Sequence, residues 1–160
     1  MGAKARFDAA TAAAIIAERK ALPGALLPML HAIQEVFGCV DRAAIPLIAD
    51  ALNLSRAEVH GAISFYHDFR AEPPGRHVLK LCRAEACQAR GCEALVERLS
   101  QVHDAAPGAT TADGALTVET TYCLGNCALG PAALFDGEPR GLLDAGAIDA
   151  LVERAKGVVA

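Results

Sequence analysis

The stretch His77-Val-Leu-Lys-Leu-Cys-Arg-Ala-Glu-Ala-Cys87 joins an apolar run of strand type to two cysteines with four residues between them. A second stretch of the same kind follows: Leu116-Thr-Val-Glu-Thr-Thr-Tyr-Cys-Leu-Gly-Asn-Cys127. In it Leu116, Val118, Thr120 and Tyr122 share one face of a period-2 pattern, and three residues separate Cys123 from Cys127. The two cysteine pairs are 35 residues apart. Each pair falls in a loop just past the end of an expected strand. If those strands are neighbours in one sheet, both loops open on the same edge and four thiolates can converge.

Three chemistries compete for such a set. Tetrahedral zinc tolerates two to four residues between ligands. Soft thiolates also select iron–sulfur clusters, and a binuclear cluster needs four cysteines from two flexible loops. Zinc hairpins favour tight two-residue knuckles, so spacers of four and three suit a two-iron rhomb better; disulfides or free thiols are the third reading. The plant-type ferredoxin spacing is absent. Gly125 and Gly130 are expected to permit the positive φ that turns backbone N–H groups toward sulfur, although glycine also simply marks turns. Nearby acids such as Glu85 tend to lower a cluster's potential.

The order of elements around the cysteines reads as a fold. After His77–Cys82 come a helix over about 92–102, a Pro107-Gly108 loop, a strand over 116–122, a strand from Ala132 to Phe135, an Asp136-Gly137 turn with a short returning strand, and a helix from Asp144 to about Ala155 whose buried stripe is Ile148, Leu151, Val152 and Ala155. Strand–helix–strand, then a hairpin and a helix, is the thioredoxin pattern. No pair of cysteines separated by two residues opens a helix, so thiol exchange is the weakest redox reading.

Upstream of Glu72-Pro-Pro-Gly75, which no helix can cross, the chain reads as helices. Asp8 can cap the first. Leu26, Leu27, Leu30, Ile33, Val36 and Phe37 form the apolar stripe of a second, ended by Gly38. Asp41 can cap a third carrying Ile45, Leu47, Ile48 and Leu52, with Pro46 in its opening turn, and Ser55-Arg-Ala-Glu58 is a capping box for a fourth running toward Ser64. The last two, joined at Asn53, have the look of a helix-turn-helix, but residues 1–70 carry seven Lys/Arg against seven Asp/Glu, a poor surface for nucleic acid. The net charge of −4 comes from residues 71–160, with eight basic and twelve acidic groups.

Composition, 53% hydrophobic and 21% charged over 160 residues, suits one or two small domains with a core. The apolar stretch from Ala9 to Ala17 is too closely flanked by charge for a signal segment, and no run approaches the roughly 20 apolar residues of a membrane span. A cytoplasmic protein with reduced thiols and no membrane contact of its own is expected. Cys39 and Cys92 are expected to be small buried hydrophobes, His31 and His60 packing residues, His67 part of the end of a packed helix, with a subunit contact as the lesser reading, and Phe65 and Tyr66 core or interface aromatics. No dinucleotide fingerprint, phosphate loop or Ser/His/Asp set is visible.

Cys82-Arg-Ala-Glu-Ala-Cys87-Gln-Ala-Arg-Gly91 and Cys123-Leu-Gly-Asn-Cys127, with Leu30-His-Ala-Ile-Gln-Glu35, Ala44-Ile-Pro-Leu-Ile-Ala49 and Phe65-Tyr66 upstream, resemble the thioredoxin-like [2Fe-2S] subunit shared by respiratory NADH:quinone oxidoreductase (its 24 kDa subunit), NAD-reducing hydrogenases and NAD-dependent formate dehydrogenases. Within that family, Phe65-Tyr-His-Asp-Phe69 and the Arg-Ala-Glu-Ala spacer are most similar to the formate dehydrogenase gamma subunit. The resemblance implies an α+β chain: an N-terminal helical bundle (1–71) that docks a partner, then a thioredoxin-like [2Fe-2S] ferredoxin domain (76–160). It implies one [2Fe-2S] cluster on Cys82, Cys87, Cys123 and Cys127, with FMN, NAD and a molybdenum cofactor only in partner subunits. The partners would be a flavin- and NAD-binding subunit and a molybdenum-containing catalytic subunit. The chain would be a non-catalytic electron-transfer subunit, inactive alone, exchanging electrons with the neighbouring flavin of a formate dehydrogenase complex. The equivalent subunit of a quinone oxidoreductase or hydrogenase is the first alternative, and a zinc-stabilised interaction module the alternative of another class.

Overall fold

The computed structural model describes residues 6–157, so the expected outer bounds at 1 and 160 lie outside the described residues. Two compact units divide at the proline pair, 1–73 and 74–160.

The first unit holds four helices: α1 (Ala9–Arg19), α2 (Leu26–Phe37), α3 (Ala44–Leu52) and α4 (Arg56–Phe65). Their starts and stops follow local chemistry. The Asp8 carboxylate accepts the Thr11 N–H at 2.7 Å, and at α4 both bonds of the Ser55/Glu58 capping box are present. Gly38, at φ +83°, and Asn53, at φ +53°, end α2 and α3 in the left-handed conformation. Asp41 departs from expectation. Its side chain accepts the Ala43 N–H at 2.8 Å and closes a turn before α3, whose own N-cap is Ala43; Pro46 does sit in the opening turn, where its missing N–H costs nothing.

Ala12, Ile16, Met29, Leu30, Ile33, Phe37, Ile48, Val59 and Phe69 make the core of this unit. Val36, expected on the α2 stripe, is 37% exposed, and Met29 and Ala32 are buried instead, because the inward face is set by which sides of α1 and α3 α2 meets. Gln34 secures the exit strap: its amide donates to the Asp68 carbonyl and accepts the Arg70 N–H, each at 2.7 Å. Phe65 (72% exposed) and Tyr66 (44%) lie outside the core, edge to face with each other. His31, itself exposed, packs its ring on Phe69; His60 and His67 are exposed as well, against the packing role expected of His60.

The second unit is α+β. Strands β1 (His77–Cys82), β2 (Leu116–Thr121), β3 (Ala133–Phe135) and β4 (Glu138–Arg140) form one sheet in the order β2-β1-β3-β4. β1 and β2 are parallel; β3 runs antiparallel to β1 and to β4. The register Leu79↔Val118 and Leu79↔Phe135 sets Leu79, Leu81, Leu116, Val118, Ala133 and Phe135 on one face. There they pack with Leu95 and Leu99 of α6 (Cys92–His103) and with Ile148 and Val152 of α7 (Ala145–Lys156). The opposite face carries the paired Lys80 and Glu119 and the buried hydroxyl of Thr117, which bonds Thr110 and accepts the Gly75 N–H, each at 2.7 Å. Gly75 is therefore anchored to this unit rather than free in a linker, and a Cβ there would meet the Gly114 carbonyl at 3.0 Å.

No helix among the described residues is long and apolar enough to cross a membrane. Two expectations fail locally. Tyr122 lies past β2 and is 73% exposed, because the strand ends at Thr121 as the chain turns into the second cysteine loop. The first loop holds an unforeseen one-turn helix, α5 (Glu85–Gln88).

Candidate metal centre

β1 and β2 deliver the two cysteine pairs. Cys82 is the last residue of β1 and is registered opposite Thr121 at the end of β2, so the segments that follow leave the sheet side by side. Cys87 follows within α5, Cys123 just past β2, and Cys127 opens a short 3-10 turn (Cys127–Leu129). Cys82 and Cys87 are buried, at 2% and 1% exposure, while Cys123 and Cys127 are exposed. All six cysteines are free thiols.

The thiols are gathered as two pairs. Cys123 Sγ lies 3.9 Å from Cys127 Sγ, and Cys82 and Cys87 are hydrogen-bonding neighbours. Two thiolates on one tetrahedral metal, with metal–sulfur bonds of about 2.3 Å, would sit about 3.8 Å apart. Among the described residues no three His, Cys, Asp or Glu side chains close around a single ion.

Backbone donors surround the sulfurs. Burial pushes the Cys82 thiol up, but N–H groups of Ala84, Cys123 and Leu124, together with the Cys87 thiol, outweigh it and bring the group below its usual range. Burial and then the Cys82 neighbour raise Cys87, against one N–H from Ala132. The hydrogen bond shared with Cys123, and that sulfur's charge, raise Cys127. Bringing several thiolates together without a cation is unfavourable, and N–H groups aimed at sulfur favour the anionic form; both suit a positively charged metal core.

The glycines divide in role. Gly125 has φ +75° and its N–H donates to Cys123 Sγ at 3.4 Å, the conformation expected of it. Gly130 does not: its φ is −67°, and its lack of a side chain serves close approach, since a Cβ would meet Cys87 Sγ at 3.3 Å and the Arg90 Cδ at 3.4 Å. Cys123 itself, a non-glycine residue, holds φ +96°. Arg83 binds Glu93 through two bonds of 2.9 and 2.6 Å and ties the first cysteine segment to α6. Arg83 and Arg90 stand in the Cys82–Gly91 motif with no role legible in the sequence, because their partners are backbone carbonyls or lie one helix away. Cys92 is fully buried beside Cys82 and Cys87, its thiol pushed up to about 11 by burial and then by Glu93; Cys39 is buried in the helical unit.

A model of the thioredoxin-like [2Fe-2S] ferredoxin family matches residues 12–156. The chain belongs to this family. The ferredoxin-like chain is 36% identical over 132 residues to one subunit of the NADH-quinone oxidoreductase of Escherichia coli (strain K12), covering 82% of this chain and 80% of that protein. It is 32% identical over 108 residues to the HndA subunit of the NADP-reducing hydrogenase of Solidesulfovibrio fructosivorans, covering 68% of this chain and 63% of that one. Among solved structures, an NAD+-reducing [NiFe]-hydrogenase in the air-oxidized state aligns with a TM-score of 0.72 at 33% identity over 89% of this chain. The ferredoxin-like chain spans 24% of that hydrogenase chain.

Proposed function

We propose that this chain is an electron-transfer subunit of a multi-subunit, NAD(P)-linked oxidoreductase, carrying one [2Fe-2S] cluster on Cys82, Cys87, Cys123 and Cys127. The observation that carries this is the convergence of two thiol pairs, from neighbouring parallel strands, within a shell of backbone N–H donors. The bound cluster would accept and release one electron at a time. The chain's own work is to hold the four thiolates, to direct N–H groups at them, and to bury Cys82 and Cys87 while leaving Cys123 and Cys127 at the surface. Electron exchange would be with the flavin of an adjacent subunit, and the exposed Phe65 and Tyr66 of the helical unit suit a docking contact.

The relatives named above are subunits of an NADH-quinone oxidoreductase and of a hydrogenase, which supports a complex of that kind. Formate dehydrogenase, with a molybdenum-containing partner, is a second reading that rests on Phe65-Tyr-His-Asp-Phe69 and the Arg-Ala-Glu-Ala spacer alone. A cytoplasmic location goes with either. Iron, acid-labile sulfide and zinc analysis of the anaerobically purified chain, with its absorption and reduced-state EPR spectra, tests the cluster; a colourless protein with one zinc sinks it. Mass spectrometry of the subunits that co-purify with the native complex, and its reduction of NAD by formate or hydrogen, separate the two readings.

A further inference from the structure

We infer that Arg90 is the latch that positions the second cysteine loop against the first and, through its charge, a determinant of the cluster's reduction potential; this deepens the cluster reading and rests on it. Arg90 lies one turn past Cys87, its N–H bonded to the Cys87 carbonyl at 3.1 Å. From there a single nitrogen, Nη1, donates to the Ala128 carbonyl at 3.1 Å and to the Gly130 carbonyl at 3.3 Å. Both acceptors stand just after Cys127, in a loop whose 3-10 turn leaves them short of helical partners. The stem is placed as closely as the head. The point a Gly130 Cβ would occupy is 3.4 Å from Arg90 Cδ and 3.3 Å from Cys87 Sγ, so the arginine stem, Gly130 and the buried sulfur converge on one spot.

Two consequences follow for the group those sulfurs would hold. The loop with the exposed thiols is tied to the first cysteine segment near its two ends, by the Cys123 and Leu124 N–H groups on Cys82 and the Ala132 N–H on Cys87; Arg90 adds a tie just past Cys127, and an arginine that binds two carbonyls there restricts how far Cys127 can move from Cys87. A guanidinium, always charged, beside a site that gains negative charge on reduction favours the reduced form. Arg90 touches no reacting atom; it acts through the loop and through its field.

The test compares the wild-type chain with Arg90→Met, Arg90→Gln and Arg90→Lys. The readouts are the rate of iron loss to a chelator, the midpoint potential by EPR-monitored titration, and the thermal transition of the apo chain. Arg90→Met should lose iron several-fold faster and titrate at a lower potential. Arg90→Lys keeps the charge but ends one bond short of Nη1 and so reaches the two carbonyls less well; it should hold a near-wild-type potential while still losing iron faster. If Arg90→Met does not fold, Arg90→Gln, which keeps a donor and drops the charge, should show the lowered potential. The inference is overturned if the substituted chains match wild type in iron loss and potential, or if only the thermal transition drops. A wild-type chain that takes up no iron and sulfide removes the cluster reading, and this inference with it.

Discussion

Cys123 holds φ +96°, a region that costs a non-glycine residue on the order of 1–3 kcal/mol. Two residues later Gly125, at φ +75°, sends its N–H back to the Cys123 sulfur. Such strain persists where its surroundings over-determine it, and at a ligand the reward is the direction of the thiolate. If the four proposed ligands are the right set, replacing any one by Ser should abolish or grossly alter the cluster's EPR signal, because a hard oxygen replaces a soft sulfur. Cys39→Ser and Cys92→Ser should keep it. In the apo chain, iodoacetamide should label Cys123 and Cys127 quickly and Cys39 and Cys92 slowly, following their burial. Gly125→Val isolates backbone conformation, since a Cβ at that position meets nothing within 4 Å. Its φ is hostile to a β-branched residue, so redox titration should find a lower potential or a less stable cluster. An unchanged titration would make Gly125 an ordinary turn residue.

At the scale of elements, α6 and α7 are joined at their polar margin by Asp149, which takes two bonds from Arg98, at 2.7 and 2.6 Å, and one from His103 at 2.7 Å. Those partners, Arg98 first, hold the Asp149 carboxyl well below the usual carboxylate range. A group whose folded pKa is depressed adds stability that is complete above its unfolded pKa, about 3.9, and drains away as pH falls toward the folded value. Asp149→Asn should therefore lower the thermal transition modestly at pH 7, the pair being partly solvent-screened, and the gap from wild type should close in scans below about pH 4. This tie joins Asp149 to residues 51 and 46 positions away and left no trace in the sequence pattern. What was legible was local or periodic: the Asp8 cap, the Ser55/Glu58 box, Gly38, the strand containing Leu79 and Leu81, and the cysteine spacing. What was not legible needed a tertiary neighbour. Val36 fits the α2 period yet faces out, Tyr122 fits the β2 period yet lies past the strand's end, and Gly130 looks like a turn glycine yet is selected by the bulk of Cys87 and Arg90.

The whole molecule is two compact units meeting in sequence at a proline pair, and the four cysteines proposed as ligands are all in the second. A chain beginning at Pro74 keeps β1, β2 and the anchored Gly75, so it should still bind iron and sulfide in the wild-type ratio. It should bind the flavin-bearing partner subunit much more weakly in a pull-down, having lost Phe65 and Tyr66; equal binding would remove docking from the helical unit's role. The parallel pairing of β1 with β2 also sets a timetable. On a ribosome the first half of the centre emerges with Cys82 and Cys87 while its other half is untranslated, and hairpin-like local pairing cannot bring them together because a helical crossover has to be made first. Nascent chains therefore carry an incomplete set of thiols until synthesis has passed Cys127, and iron delivered earlier would meet only two of the four proposed ligands. Insertion of the proposed cluster would in this sense be a post-translational event, and ribosome-bound chains stalled before residue 116 should hold no sulfide-bridged iron, whereas released chains should acquire it.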